Sequence, residues 1–131
     1  MARTTTTFEY ELTFNSTIKG HHKSKNFYKS SATDRLQCLP DASPAAQEID
    51  PDAIGVMKDE KVIGHVPIQL TSLLTHFLKG GHGTIVANPT GKRFFGHGLE
   101  IPCKYILTGE KYRHLQIVKA ELQNIDGNFL I

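Results

Sequence analysis

The sequence predicts an α+β protein. It would be a small curled β-sheet or barrel, with one helix inserted after a central hairpin and a second at the C-terminus. Three observations carry this. "FEYELTF" alternates with period two, Phe8, Tyr10, Leu12 and Phe14 on one face and Glu9, Glu11 and Thr13 on the other. "AIGVMK" and "KVIGHVP" flank the dipeptide Asp59–Glu60 as the two strands of a hairpin. "IQLTSLLTHFLKGG" repeats Leu70, Leu73, Leu74, Phe77 and Leu78 at helical spacing.

The remaining elements follow in chain order. "TTTT" before the first strand is β-compatible and expected to fray. The next stretch carries Lys19, Lys23, Lys25 and Lys29 with no acid before Asp34, and Gly20 in it permits a bend or a close backbone approach. "DRLQCLP" reads as a short strand with Leu36 and Cys38 inward. "DASPAAQEIDPD" reads as a loop, where Pro51 biases Asp50 away from helix. Pro67 closes the second hairpin strand. The helix after it ends with Lys79, suited to its dipole, and Gly80. "GTIVANP" is a strand and "TGKRFFGHG" a glycine-bounded loop. "LEIPCKYIL" alternates through Leu99, Ile101, Cys103, Tyr105 and Leu107, with Pro102 marking an edge or a bulge. Tyr112, Leu115, Val118, Leu122 and Ile125 space a C-terminal helix. The chain is expected to form one domain with its core over about residues 8–125 and flexible ends at 1–6 and 126–131.

Composition narrows the function classes. The chain has 131 residues, 39% of them hydrophobic, and a net charge of +2, so any nucleic-acid surface must come from local clustering. Cys38 and Cys103 show no metal-ligand spacing and read as buried thiols of an intracellular protein. The N-terminus has no apolar signal core, and no apolar run approaches membrane-spanning length, so no membrane partner is expected.

Clustering does occur. From Lys61 to Leu99 there is no Asp or Glu, while Lys61, Lys79, Lys92, Arg93, His65, His76, His82 and His97 all fall there. Joined to the Lys19–Lys29 stretch, this window would make a positive face for a phosphate backbone. In "GKRFFGHG", Arg93 stands beside Phe94 and Phe95, cations for phosphates next to rings that stack on bases. The seven histidines do not have metal-ligand spacing: His21 and His22 are adjacent, and His76 has no partner at i+4. No GxSxG, GxxxxGK[ST] or GxGxxG occurs, so neither an enzyme nor a cofactor is expected. Asp50 reads by itself as an Asx-turn residue. If the hairpin strands pair, the start of the first and the end of the second bring Asp50 near His65.

The block "IDPDAIGVMKDEKVIGHVP" resembles the signature of the HIRAN domain, a small module of helicase-like transcription factor and related remodelling ATPases. The matching positions are Asp50, Ala53, Ile54 and Val56, then Val62, Ile63, Gly64, His65, Val66 and Pro67, followed by a helix where that family has one. "STIKGHH" and "GLEIPCKYILTG" resemble its flanking strands. The resemblance implies a small OB-like curled β-barrel that binds single-stranded DNA, including a free 3′ end. The pocket carboxylate would be Asp50, which accepts from a terminal hydroxyl and repels a continuing phosphate. His65 would line the same pocket. Lys19, Gly20, His21, His22 and Lys23 would hold the strand. Arg93 and Phe95 join them as candidates from the basic and aromatic loop itself, not from the resemblance. The resemblance also implies a nuclear setting in DNA repair and a partner ATPase or chromatin protein acting in trans. The family's Arg and Tyr are histidines here, which leaves an alternative: a protein-interaction or regulatory module of the same fold without DNA binding.

Overall fold

The computed structural model describes residues 9–20, 31–92, 94–96 and 98–125. In chain order the elements are β1 (Tyr10–Gly20), β2 (Leu36–Pro40), α1 (Pro44–Ile49), β3 (Ile54–Lys58), β4 (Lys61–His65), α2 (Ile68–Lys79), β5 (Thr84–Pro89), β6 (Phe94–Gly96), β7 (Gly98–Gly109) and α3 (Tyr112–Ile125). The strands pair antiparallel in the order β1-β4-β3-β2-β5-β7, and β7 pairs back onto β1 from Tyr10↔Gly109 to Lys19↔Glu100. This closes a six-stranded OB-like barrel, accompanied among the described residues by three helices. Closure removes the free edges that an open sheet of this size would expose. The short β6 extends the far end of β7 as a hairpin arm.

Alternation sends one side of each strand inward. Phe14, Ile18, Leu36, Cys38, Ile54, Val56, Ile85, Ala87, Ile101, Cys103, Tyr105 and Leu107 form one core with Leu70, Leu74 and Phe77 of α2 and Leu115, Val118 and Leu122 of α3. Phe14 and Tyr105 pack ring on ring at 5.5 Å. The Tyr105 hydroxyl donates to the Thr17 carbonyl at 2.7 Å, so the deepest aromatic leaves no polar atom unpaired. Both cysteines are free and buried. Burial pushes the Cys103 thiol up to about 12, and burial with the neighbouring Cys103 raises Cys38 further. Neither thiol is a nucleophile at neutral pH.

The structure corrects three element boundaries. The 41–52 loop contains α1, because Ser43 caps it by accepting from the Ala46 amide and Pro44 opens it with a preset φ. The "TGKRFFGHG" loop contains β6, paired Phe94↔Glu100 and Gly96↔Gly98. The first strand runs on to Gly20, because β7 templates it along its full length. Pro102 needs neither an edge nor a bulge of its own. Its carbonyl accepts from Thr90, so its nitrogen faces the side where β5 pairing stops at Cys103 and β6 pairing starts at Glu100. The hairpin turn is Asp59–Glu60, at φ 49° and 68°, the two-residue mirror-image turn that suits strand twist. The expected flexible ends, 1–6 and 126–131, lie outside the described residues.

Candidate functional site

Register builds one row across the outer face of the barrel. Gly55 lies opposite His65, His65 opposite Lys19, Lys19 opposite Glu100, and Glu100 opposite Phe94. Directly opposed residues share a face. Here it is the outer one, since Ile18, Ile54, Val66 and Ile101, one step along their strands, are buried in the barrel. Gly64 lets β4 close onto β1: a Cβ there would lie 2.6 Å from both Ile18 Cγ2 and the Lys19 carbonyl oxygen. The close approach that glycine permits is therefore to the protein's own backbone.

The carboxylate that meets His65 is Asp41. Its Oδ2 lies 2.7 Å from His65 Nε2. The other oxygen of Asp41 accepts from the Ser43 amide at 3.0 Å, its own amide donates to Ala53, and Gln47 donates to its carbonyl. Asp41 is thus held from four directions, and it orients the imidazole. Burial alone would raise the Asp41 carboxyl. The bond from His65, those from Ser43, and the charge of His65 outweigh it, and the carboxyl is held below its ordinary value.

Asp50 is occupied elsewhere. Its Oδ1 accepts from the Asp52 amide at 2.9 Å, an Asx turn, and its Oδ2 accepts from the Thr71 hydroxyl at 2.5 Å. Its amide closes α1 on Ala46. The residue ties α1 to α2, and the expected Asp50–His65 mouth is replaced by an Asp41–His65 pair.

Lys19 has a comparable companion. Its Nζ reaches Glu100 Oε1 at 3.0 Å, and the Thr17 hydroxyl donates to the same oxygen at 2.9 Å. Glu100 is buried at 7% exposure, so this charge is a built part of the face. Phe94, at the end of the row, is 42% exposed and Lys92 beside it is exposed. Gly20 ends β1 opposite Gly64. Phe95 is in β6 opposite Leu99. His21, His22, Lys23 and Arg93 lie outside the described residues.

Asp41 and Glu100 were missed by sequence reasoning. Asp41 precedes the cap-and-proline pair Ser43–Pro44, a helix-start signal that would have placed it at a junction. Glu100 is the first acid after the acid-free window, and nothing local shows that β7 will set it against Lys19. Among the described residues no cluster of three or more His, Cys, Asp or Glu is arranged to hold a metal ion, and no helix is long and apolar enough to cross a membrane. Away from the row, an open groove of about 720 Å³ lies between α2 and α3, with Leu73, His76, Lys79, Ile117 and Glu121 in its walls. No family model, curated protein or solved structure matches this chain.

Proposed function

We propose that the outer face around Lys19, His65 and Phe94 binds single-stranded DNA, and that the protein is a binding module, not an enzyme. The observation that carries this is the cross-strand row itself. It lines up a lysine, an oriented imidazole and an exposed ring on an OB-like barrel, a fold that binds oligonucleotides on such surfaces. In sequence, the lysine-rich 21–30 stretch follows Gly20 at the end of β1, and Lys92 and Arg93 precede Phe94. Bases would stack on Phe94 while phosphates pass Lys19 and the basic stretch. If a 3′ end is selected, Asp41 is the carboxylate beside His65 that could accept from its hydroxyl. A nuclear setting and a partner ATPase in trans belong to the same proposal, through the resemblance to the HIRAN domain.

One observation favours a second reading. Lys19 and His65 each already hold a carboxylate, so the row carries little uncancelled charge. The same face would then serve as a protein-interaction or regulatory surface. Anisotropy titrations with labelled oligonucleotides ending in a 3′-hydroxyl or a 3′-phosphate separate the two. DNA binding is expected at low salt, weakening as salt rises. Phe94→Ala should cost about ten-fold in affinity, the scale of one lost base stack. Preference for the 3′-hydroxyl should disappear in Asp41→Asn and persist in Asp50→Asn. No binding to any oligonucleotide at low salt would leave the protein-interaction reading.

A further inference from the structure

A second histidine environment lies at the other end of the β1–β7 ladder. There α2, the turn after it and the start of α3 bring His76, His82 and His114 together. The rings of His82 and His114 lie 3.7 Å apart between centroids, tilted by 34°, and His76 stands 6.2 Å from His82. Lys79 precedes the turn, and Lys111 and Arg113 flank the entry to α3.

The position of His82 is fixed by its surroundings. Its amide donates to the Phe77 carbonyl. Gly81 takes φ +69° in the turn. A Cβ on Gly80 would lie 2.5 Å from His82 Nε2, and one on Gly109 would lie 2.5 Å from the His82 carbonyl oxygen. A Cβ on Gly83 would strike the Thr108 carbonyl. Three glycines therefore clear the space that brings this imidazole onto His114.

Among the described residues no carboxylate lies within ion-pair distance of these groups. The charged and titratable neighbours are His76 and Lys79 on α2, with Asp52 and Glu121 across the groove from them, Glu110, Lys111 and Arg113 at the entry to α3, and Glu9, Tyr10 and Glu11 at the start of β1. Tyr10 packs on Tyr112 of α3 at 5.3 Å. Among the described residues no ion pair involves His76, Lys79, His82, Lys111, Arg113 or His114. The first turn of α3 contains no acid and carries Arg113 and His114, cations where the helix dipole opposes them. Partial desolvation, then the charges of His82, Lys111 and Arg113, hold the His114 imidazole below its ordinary value.

We propose that this cluster is a second ligand site, which holds a phosphate-type anion at the N–H edges of the stacked His82 and His114 rings and takes up a proton as it does so. A tetrahedral dianion offers acceptors to both rings at once and to Lys111 or Arg113. Its charge favours the imidazolium form of His114, which the cluster alone disfavours. The site is nine residues along β7 from the Lys19–Glu100 row, about 30 Å at the usual strand rise, and does not depend on what that row binds.

Sulfate is the first probe, because it stays a dianion across the imidazole range, so any pH dependence reports the protein. Calorimetry on the full chain should find sulfate binding about ten-fold tighter at pH 5.5 than at pH 8.0, the factor for one imidazole pKa raised by about one unit. NMR titration of the His82 and His114 rings should shift upward when sulfate is present. His82→Gln with His114→Gln should abolish the pH dependence. Should that variant fail to fold, the wild-type ring titrations decide. Inorganic phosphate and a 5′-phosphorylated thymidine tetramer then separate a free anion from a strand end, and either one binding with the same pH dependence supports the site. Equal affinity at both pH values, unmoved ring titrations, or an unphosphorylated tetramer shifting the His82 and His114 ring titrations as far as the phosphorylated one would overturn it. So would zinc binding to the rings with no effect of sulfate.

Discussion

The two ends of the β1–β7 ladder treat histidine in opposite ways. At one end His65 meets Asp41 at 2.7 Å and Lys19 meets Glu100 at 3.0 Å, so each basic side chain has its own built acid. At the other end His82 lies against His114 at 3.7 Å, with Lys111 and Arg113 nearby and no ion pair among the described residues. The first end is oriented and nearly neutral. The second is fixed in place and electrostatically unanswered. The motif-like "IGHVP" led to the satisfied imidazole, while the unsatisfied ones stand where no motif points. An imidazole's chemistry is set by the groups that tertiary packing brings to it, and its sequence neighbours report little of that.

The comparison assumes that both ends are rigid, and the largest expected effects test this. Gly64→Ala would drive a methyl toward the Lys19 carbonyl, and Gly83→Ala would drive one into Thr108. Each contact is with backbone that cannot swing aside, so each variant should lose about 3 kcal/mol. Urea unfolding should show this as a lower midpoint at unchanged slope. A loss below about 1 kcal/mol at either glycine would mean that the strands there can part, and that end could not hold its imidazole in a fixed place.

Next in size is the pairing itself. A double-mutant cycle on Asp41→Ala and His65→Ala should give a favourable coupling of about 1–2 kcal/mol, as for a partly buried charge-assisted hydrogen bond. The same cycle on His82→Ala and His114→Ala should give little coupling at pH 8 and an unfavourable one at pH 5, where two imidazolium rings repel. A favourable coupling at both ends would erase the distinction between them.

What was legible in the sequence follows from range. The alternation in "FEYELTF" and "LEIPCKYIL", the hairpin around Asp59–Glu60 and the two amphipathic helices are local periodicities, and they predicted β1, β7, β3, β4, α2 and α3. Asp50 was legible as an Asx-turn residue for the same reason. The partner of His65 was not, because Asp41 reaches it only through the β2–β3 and β3–β4 registers. The acid-free window looked like an open positive face, yet barrel closure sets Glu100, the residue just after it, against Lys19. His76, His82 and His114 share no motif spacing, and only the return of α3 onto α2 assembles them. Helix α1 was the avoidable omission, since Ser43–Pro44 announces it.

A smaller effect comes from the hairpin tip that precedes His65. Glu60 holds φ 68°, a conformation disfavoured for a residue with a Cβ. Glu60→Gly should raise stability by about 0.5–1 kcal/mol, since Asp-Gly is a preferred pair for this turn. Oligonucleotide affinity should hold steady or improve, because β4 is then better fixed. Sulfate binding at the far end should not change. A change in sulfate affinity would show that the two ends are coupled through the barrel and cannot be compared as independent sites.

The smallest expected effect separates the ends by pH. Asp41 and His114 are both held below their ordinary values, so for each the unfolded chain binds protons more readily than the folded one, and stability falls as pH falls. The windows differ. Asp41 stabilises fully above the ordinary carboxylate range, and this is lost as pH drops through about 4 toward its lowered folded value. His114 is neutral above the imidazole range, and its unfavourable protonation begins as pH drops through about 6.5. Thermal melts from pH 8 to pH 3 should therefore show two descending legs. Asp41→Asn should flatten the lower leg and leave the upper one. His114→Gln should flatten only the upper leg, and by a modest amount, because the ring is partly exposed and screened. Added sulfate should flatten that same upper leg in the wild type, since an anion at the ring edges offsets the repulsion that makes protonation costly. If sulfate flattened the lower leg instead, the anion would be acting at the Asp41–His65 end, and the unanswered charge at His82 and His114 would not be what attracts it.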